Sequence, residues 1–258
     1  MSKIETAAAP LFNILIEGGS LSDSQRYDLA NFFALAFVRT NSFRRMYAEF
    51  YSEYRMLRNY LVASNDSAFE LQMERFQQAR GKISEEAKQR LRAHMIDPSD
   101  YIIQVSHEYT LQALACHGRL VPLFYTMNWS ILYAPEDSFF ITSDNPLLQW
   151  VPPQYHHSFY GSGGFRSRHA EAIMTLSPHY CWVGHWREDM PRRFVTVNER
   201  VEFTNELIAV SAERFLYSHT EDKSILALAK QYAKSQKTFH FEGQGPAKKA
   251  EIKVVRSL

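Results

Sequence analysis

Residues 140–146 read Phe-Ile-Thr-Ser-Asp-Asn-Pro. Two hydroxyls, a carboxylate, a carboxamide and a proline therefore stand side by side, with apolar residues before them and Leu147 and Leu148 after. A turn needs only two or three such residues. Asp144 is suited to act as a base or to take a metal ion, and Ser143, Thr142 and Asn145 are suited to orient a substrate. Strand ends hold short polar side chains rigidly, as sites require. The same residues also have a structural use. Asp144 or Asn145 can fold an Asx turn on backbone N–H groups, and Pro146 keeps Asn145 out of the helical region. One carboxylate does not make a metal site alone, so the box needs partners.

Candidate partners lie on both sides of the box. Arg39 closes the most apolar helical pattern, and burying a guanidinium there is costly unless it meets a carboxylate. An Arg39–Asp144 or an Arg39–Glu5 pair is expected. Glu5 stands among alanines, where a lone Glu is ordinarily a solvated helix-start residue. Histidines gather at 156, 157, 169, 179 and 185. His156 and His157 sit in a Gly-rich loop, but adjacent side chains chelate one ion poorly. His179 follows Ser177-Pro178 near an expected sheet edge and is a substrate-binding candidate. There is no His-Glu-x-x-His, no Walker loop and no Gly-x-Ser-x-Gly elbow. A divalent metal stays open as a cofactor, with no residue assigned to it. Arg166, Arg168, Arg187, Arg192 and Arg193 interleave with Phe165, Trp182 and Trp186. That mixture suits phosphate contact and base stacking, which makes a nucleic acid or nucleotide a candidate partner through Arg166, Arg168, Arg192 and Arg193. An ordinary surface loop has the same look.

The elements that must position these groups follow from patterning. The chain has 258 residues, 45% hydrophobic and 22% charged, with a net charge of +1. That balance excludes a global basic field. The N-terminus has no apolar leader segment and no stretch approaches the roughly 20 apolar residues of a membrane helix, so a cytoplasmic protein without a membrane is expected. Cys116 falls in a helical pattern and Cys181 in a strand pattern, which suggests neither a disulfide framework nor a Cys-rich zinc site. Apolar periodicity predicts a helix ending at Gly18-Gly19, a second starting at Ser22 or Asp23, and two polar amphipathic helices before Asp97. A long helix follows, ended or kinked by Pro122. Short β-branched and aromatic runs then read as strands: 127–135, 138–142, 171–178, 180–186 and 192–198. Residues 198–219 and 222–236 read as closing helices. The fold class is α+β: a helical N-terminal half packed on a small antiparallel β-sheet, with closing C-terminal helices. One domain is expected over 1–240, with the helical half over 1–126 and the sheet and closing helices over 127–240. A tail at 241–258 follows it.

Several stretches resemble domain-of-unknown-function family 4238, which is uncharacterised and mainly bacterial. The Phe140–Pro146 box is similar to that family's central box. Arg39-Thr40, the Glu5 helix, the strand Met174-Thr175-Leu176-Ser177-Pro178 and the helix after Asn198 resemble its other ordered segments. Asn198 or Asn205 corresponds to that last helix's asparagine. The resemblance covers roughly residues 3–228. The family's usual His-Tyr-Val-Pro segment before the Glu helix is not found here, so a truncated or a naturally shortened member is expected, with a partner chain as one source of the segment. The family name implies no chemistry. Its type suggests an enzyme, hydrolase or nuclease-like, acting on a phosphate-bearing or nucleic-acid substrate in bacterial stress or phage defence. Asp144, Ser143 and Glu5 would then be catalytic, and Arg39, Asn145, Thr142 and His179 would bind substrate. The alternatives are a non-catalytic ligand-binding or protein-interaction module, and a box that only locks the fold.

Overall fold

A computed structural model describes residues 3–97, 101, 103, 105, 111–156 and 163–232. The expected tail at 241–258, His157 and most of the segment 98–110 lie outside these residues. The described residues fall into two compact units, one from 3–44 and 111–232, the other from 45–105.

In the first unit, α1 (Lys3–Glu17) and α2 (Asp23–Val38) are followed, after a 3-10 turn at Gln112–Cys116, by α6 (His117–Thr126). Local chemistry sets their ends. Ser22 and Gln25 form a reciprocal capping box at the start of α2. Gly18, at φ +81°, closes α1, and the Arg193 guanidinium lies where a side chain at this position would stand. Arg193 donates to the Ile16 and Glu17 carbonyls, satisfying that helix end. Arg26 does the same for α6 through the Tyr125 and Met127 carbonyls. Pro122 sits inside α6 rather than ending it.

The strands are β1 (Asn128–Tyr133), β2 (Thr142–Ser143), β3 (Leu147–Trp150), β4 (Glu171–Ser177), β5 (Tyr180–His185), β6 (Arg193–Val195) and β7 (Leu216–Tyr217). Five form a sheet in the order β3-β4-β5-β1-β6. Three of its pairings are antiparallel, but β6 runs parallel to β1, so the sheet is mixed rather than wholly antiparallel. The cause is the return of the chain through the loop 186–192, which re-enters beside β1 in β1's own direction. The small pair β2–β7 is antiparallel.

Side chains alternate between two buried faces. Trp129, Ile131, Leu147, Ala172 and Trp182 pack toward α1, α2 and α6, with Phe33 stacked on Trp182 at 3.9 Å between ring centroids. Leu132, Leu148, Ile173, Cys181 and Val183 face the other way, toward α7 (Asn198–Ser211) and α8 (Lys223–Tyr232). Helices on both faces explain why these strands read as nearly continuous apolar runs. Burial pushes the Cys181 thiol up to about 12, which makes it an inert core residue.

The second unit contains most of α3 (Asn41–Ala63) with α4 (Asp66–Arg80) and α5 (Glu85–Ile96). Asn65 and Ser84 cap α4 and α5. Ala63, Phe69 and Met73 form its small core, covered by Ile83, Leu91 and Met95.

Candidate functional site

Two of the expected strand and helix extents change at the Thr-Ser-Asp-Asn-Pro box. The strand expected over 138–142 is reduced to Thr142–Ser143, and the closing helix expected to reach 219 stops at Ser211. The Asp144 side chain accounts for the second. The Asp144 carboxylate accepts the backbone N–H groups of Glu213 (3.0 Å) and Arg214 (2.9 Å), one on each oxygen. The Asp144 N–H in turn donates to the Phe215 carbonyl at 3.2 Å. These bonds fold residues 212–215 into a turn that sends the chain back as β7 beside β2. An acceptor with two oxygens outcompetes one more turn of helix here, because it satisfies two successive N–H groups at once.

Ser143 is buried. Its hydroxyl accepts the Asn145 N–H and donates to the Asn145 carbonyl, both at 3.1 Å. Asn145 turns away from the box and donates to the Ser211 carbonyl at 3.3 Å, capping the end of α7. The segment before the box is held by Asn205, which is 6% exposed. Its carboxamide accepts the Ile141 N–H (3.0 Å) and donates to the Phe139 carbonyl (2.8 Å), replacing a strand neighbour that residues 139–141 lack. Of the two asparagines proposed for the closing helix, Asn205 carries this contact, while Asn198 is exposed at the helix start.

Beside the box lies an open cleft of about 580 Å3, lined by Arg39, Thr40, Asn41, Arg44, Thr142, Ser143, Asp144, Pro146 and Tyr217. Arg39 is the C-cap of α2. Thr40 links α2 to α3: its hydroxyl donates to the Phe37 carbonyl and accepts the Phe43 N–H, an N-cap bond for α3. The start of a 23-residue helix therefore opens on the cleft. Arg39 pairs with Glu5, so of the two expected partners the guanidinium takes Glu5 and not Asp144. Arg44 is held by the Asn41 side chain.

Of the residues singled out in the sequence, Asp144, Ser143, Thr142 and Arg39 share this cleft, and Glu5 reaches it through Arg39. Asn145 does not line it. His179 is exposed in the β4–β5 turn, outside the cleft lining, with its ring 6.1 Å from that of His219. Arg44, Asn41 and Tyr217 were not anticipated. Tyr217 had no signal, since its segment carries a helical pattern. Arg44 falls one helical turn past the Arg39-Thr40 pair, which spacing alone could have suggested.

The basic and aromatic cluster divides differently. Phe165 and Trp182 are buried in the core, so they offer no face to a base. Trp186 donates to the Phe165 carbonyl at 2.7 Å. Arg187 pairs with buried Glu171, and Arg193 caps α1. Arg166, Arg168 and Arg192 are exposed. The buried pair Ser130 and His185 resembles a nucleophile and its base but has the opposite polarity. His185 Nδ1 accepts the Arg187 N–H, which places the ring proton on Nε2, and Ser130 donates to the Pro191 carbonyl. Burial holds this imidazole below its ordinary value, first by desolvation and then by the Arg187 charge. Among the described residues, no group of three His, Cys, Asp or Glu side chains is placed to hold a metal, and no helix is long and apolar enough to cross a membrane.

The anchoring role of Asp144 has a measurable consequence. Asp144→Ala is expected to remove two charge-assisted hydrogen bonds, a loss of about 2–4 kcal/mol. Thermal denaturation should read this as roughly 5–15 °C. Asp144→Asn keeps one accepting oxygen and should lose about half. A variant that melts with the wild type would show that the turn at 212–215 does not depend on this carboxylate.

The sequence pattern of the family described as a protein of unknown function (DUF4238) matches residues 1–222. No curated protein and no solved structure matches the chain.

Proposed function

This chain belongs to the DUF4238 family of proteins of unknown function, and we propose that it binds a small phosphate-bearing ligand in the cleft beside the Thr-Ser-Asp-Asn-Pro box. The observation that carries this reading is the charge of the lining. Two arginines, Arg39 and Arg44, and Asn41, the first residue of α3, line the cleft together with Thr142 and Tyr217, and the Glu5 carboxylate paired with Arg39 offsets part of that charge. Guanidinium forks and helix N-termini both favour phosphate oxygens. The one carboxylate in the lining, Asp144, already has both oxygens bonded to backbone N–H groups, which reduces its repulsion of an anion.

A hydrolase acting on the same ligand is the second reading. It is favoured by the position of Asp144 in the cleft wall, where each oxygen keeps an unused lone pair. Asp144 would then orient a water molecule, with Arg39 and Arg44 taking the charge that develops on phosphate. Ser143 is a poor nucleophile in this scheme, because its hydroxyl is tied to Asn145 as donor and acceptor.

Calorimetry with inorganic phosphate, ADP, ATP and a short single-stranded oligonucleotide tests the binding. A nucleoside phosphate is expected to bind. Arg39→Ala and Arg44→Ala should each weaken it about tenfold or more, the value of a charge-assisted hydrogen bond. Binding by none of the four, or equal binding by the double variant, overturns the reading. Phosphate release measured on the same samples separates enzyme from binding module: release that stops in Asp144→Asn while the nucleotide still binds assigns a hydrolase.

A further inference from the structure

We propose that the outer face of α3 pairs with α3 of a second copy of this chain, forming a parallel two-stranded seam. The face is built for a partner and has none among the described residues. Tyr47, Phe50, Tyr54, Leu57 and Leu61 recur at spacings of three, four, three and four residues, the a/d pattern of a coiled coil. Four of them, Phe50, Tyr54, Leu57 and Leu61, are 52–58% exposed. Met46 and Tyr60 widen the same stripe. It is not the core face of α3. The opposite side carries Ala48, Ser52, Val62 and Ala63. There Ser52 donates to the Ile103 carbonyl at 3.1 Å, and Ala63 is buried against Phe69 and Met73. An apolar stripe left open on the far side of a packed helix marks an interaction surface.

Charges beside the stripe select the occupant and its direction. With Tyr47, Tyr54 and Leu61 at a, Glu53 falls at g and Arg58 at e, five residues on. In a parallel pair each g residue meets the e residue five places later on the other helix, so Glu53 would meet Arg58 of the second copy, twice by symmetry. In an antiparallel pair g meets g and e meets e, and Glu53 would find no cation. Among the described residues neither Glu53 nor Arg58 has an ion-pair partner within the chain. Burial and the neighbouring Glu49 already hold the Glu53 carboxyl above its ordinary value, so an incoming guanidinium relieves an existing cost. The helix is prefolded by its other face, which removes the ordering cost that short isolated coiled coils bear. Residues 47–61 span only about 22 Å, which sets the contact at the small end of specific interfaces.

Sedimentation velocity on the full chain across the micromolar range tests this. A concentration-dependent dimer is expected. Leu57→Glu should abolish it. Glu53→Arg and Arg58→Glu should each weaken it about tenfold by placing like charges opposite each other, and the two combined in one chain should restore it. Leu57→Cys should cross-link to its own copy under mild oxidation, as a parallel d position requires. A chain that stays monomeric, or a dimer indifferent to Leu57→Glu, overturns the proposal. So does a monomer destabilised by Leu57→Glu, which would show that the chain covers this stripe itself.

Discussion

Asn205→Ala is expected to destabilise the protein by about 2–4 kcal/mol, because it leaves one buried and one partly buried backbone group without partners. The Ile141 N–H and the Phe139 carbonyl both bond to this one carboxamide. Residues 139–141 lead directly into the box, so the loss should spread to the cleft wall. Asn205→Leu separates this cause from a simple cavity. It fills the volume and restores neither hydrogen bond, so it should be nearly as damaging as alanine. Urea denaturation measures both. Were Asn205→Leu within about 1 kcal/mol of wild type, the bonds to residues 139 and 141 would not be what holds the segment.

Arg200→Met is expected to cost about 1.5–3 kcal/mol, the loss of a charge-assisted hydrogen bond to a buried carboxylate that is left with one, more exposed partner. Glu171 is 4% exposed in β4, and its two oxygens are taken by Arg187 and Arg200. Arg200 also lies over the rings of Trp150 and Phe203, so it ties α7 to the edge of the sheet. Arg187 is half exposed, and a water molecule can replace much of what it supplies. Arg187→Met should therefore cost distinctly less. Adding Glu171→Leu to Arg200→Met should recover some of the loss, since it removes a buried carboxylate left with only a half-exposed partner. Equal losses for the two arginines, or no recovery in the double variant, would refute this account of the clamp.

Much of the fold is legible in the residues. Helical periodicity and caps place α1, α2, α4 and α5, and β-branched and aromatic runs place β1, β4, β5 and β6. Such local signals depend on neighbours a few residues away. The end of α7 is not legible in this way. Residues 212–217 have helical periodicity, yet Asp144, some 70 positions earlier, claims their N–H groups. The polarity of Ser130 and His185 is likewise invisible, because a backbone N–H from Arg187 sets the tautomer. Interleaving of arginine with aromatics is misleading for the same reason: the pleat sends Trp182 inward, where it stacks on Phe33.

By itself the sequence determined that residues 142–146 form a polar box between apolar segments, that Arg39 needs a carboxylate, and that the chain is α+β. Only the tertiary structure decided that Glu5 answers Arg39, that Asp144 is an anchor for a distant turn, and that Arg44 and Tyr217 complete the cleft. Pairings between residues far apart depend on which elements the packed core brings together. That selection is made by the burial of whole faces, which no local pattern encodes.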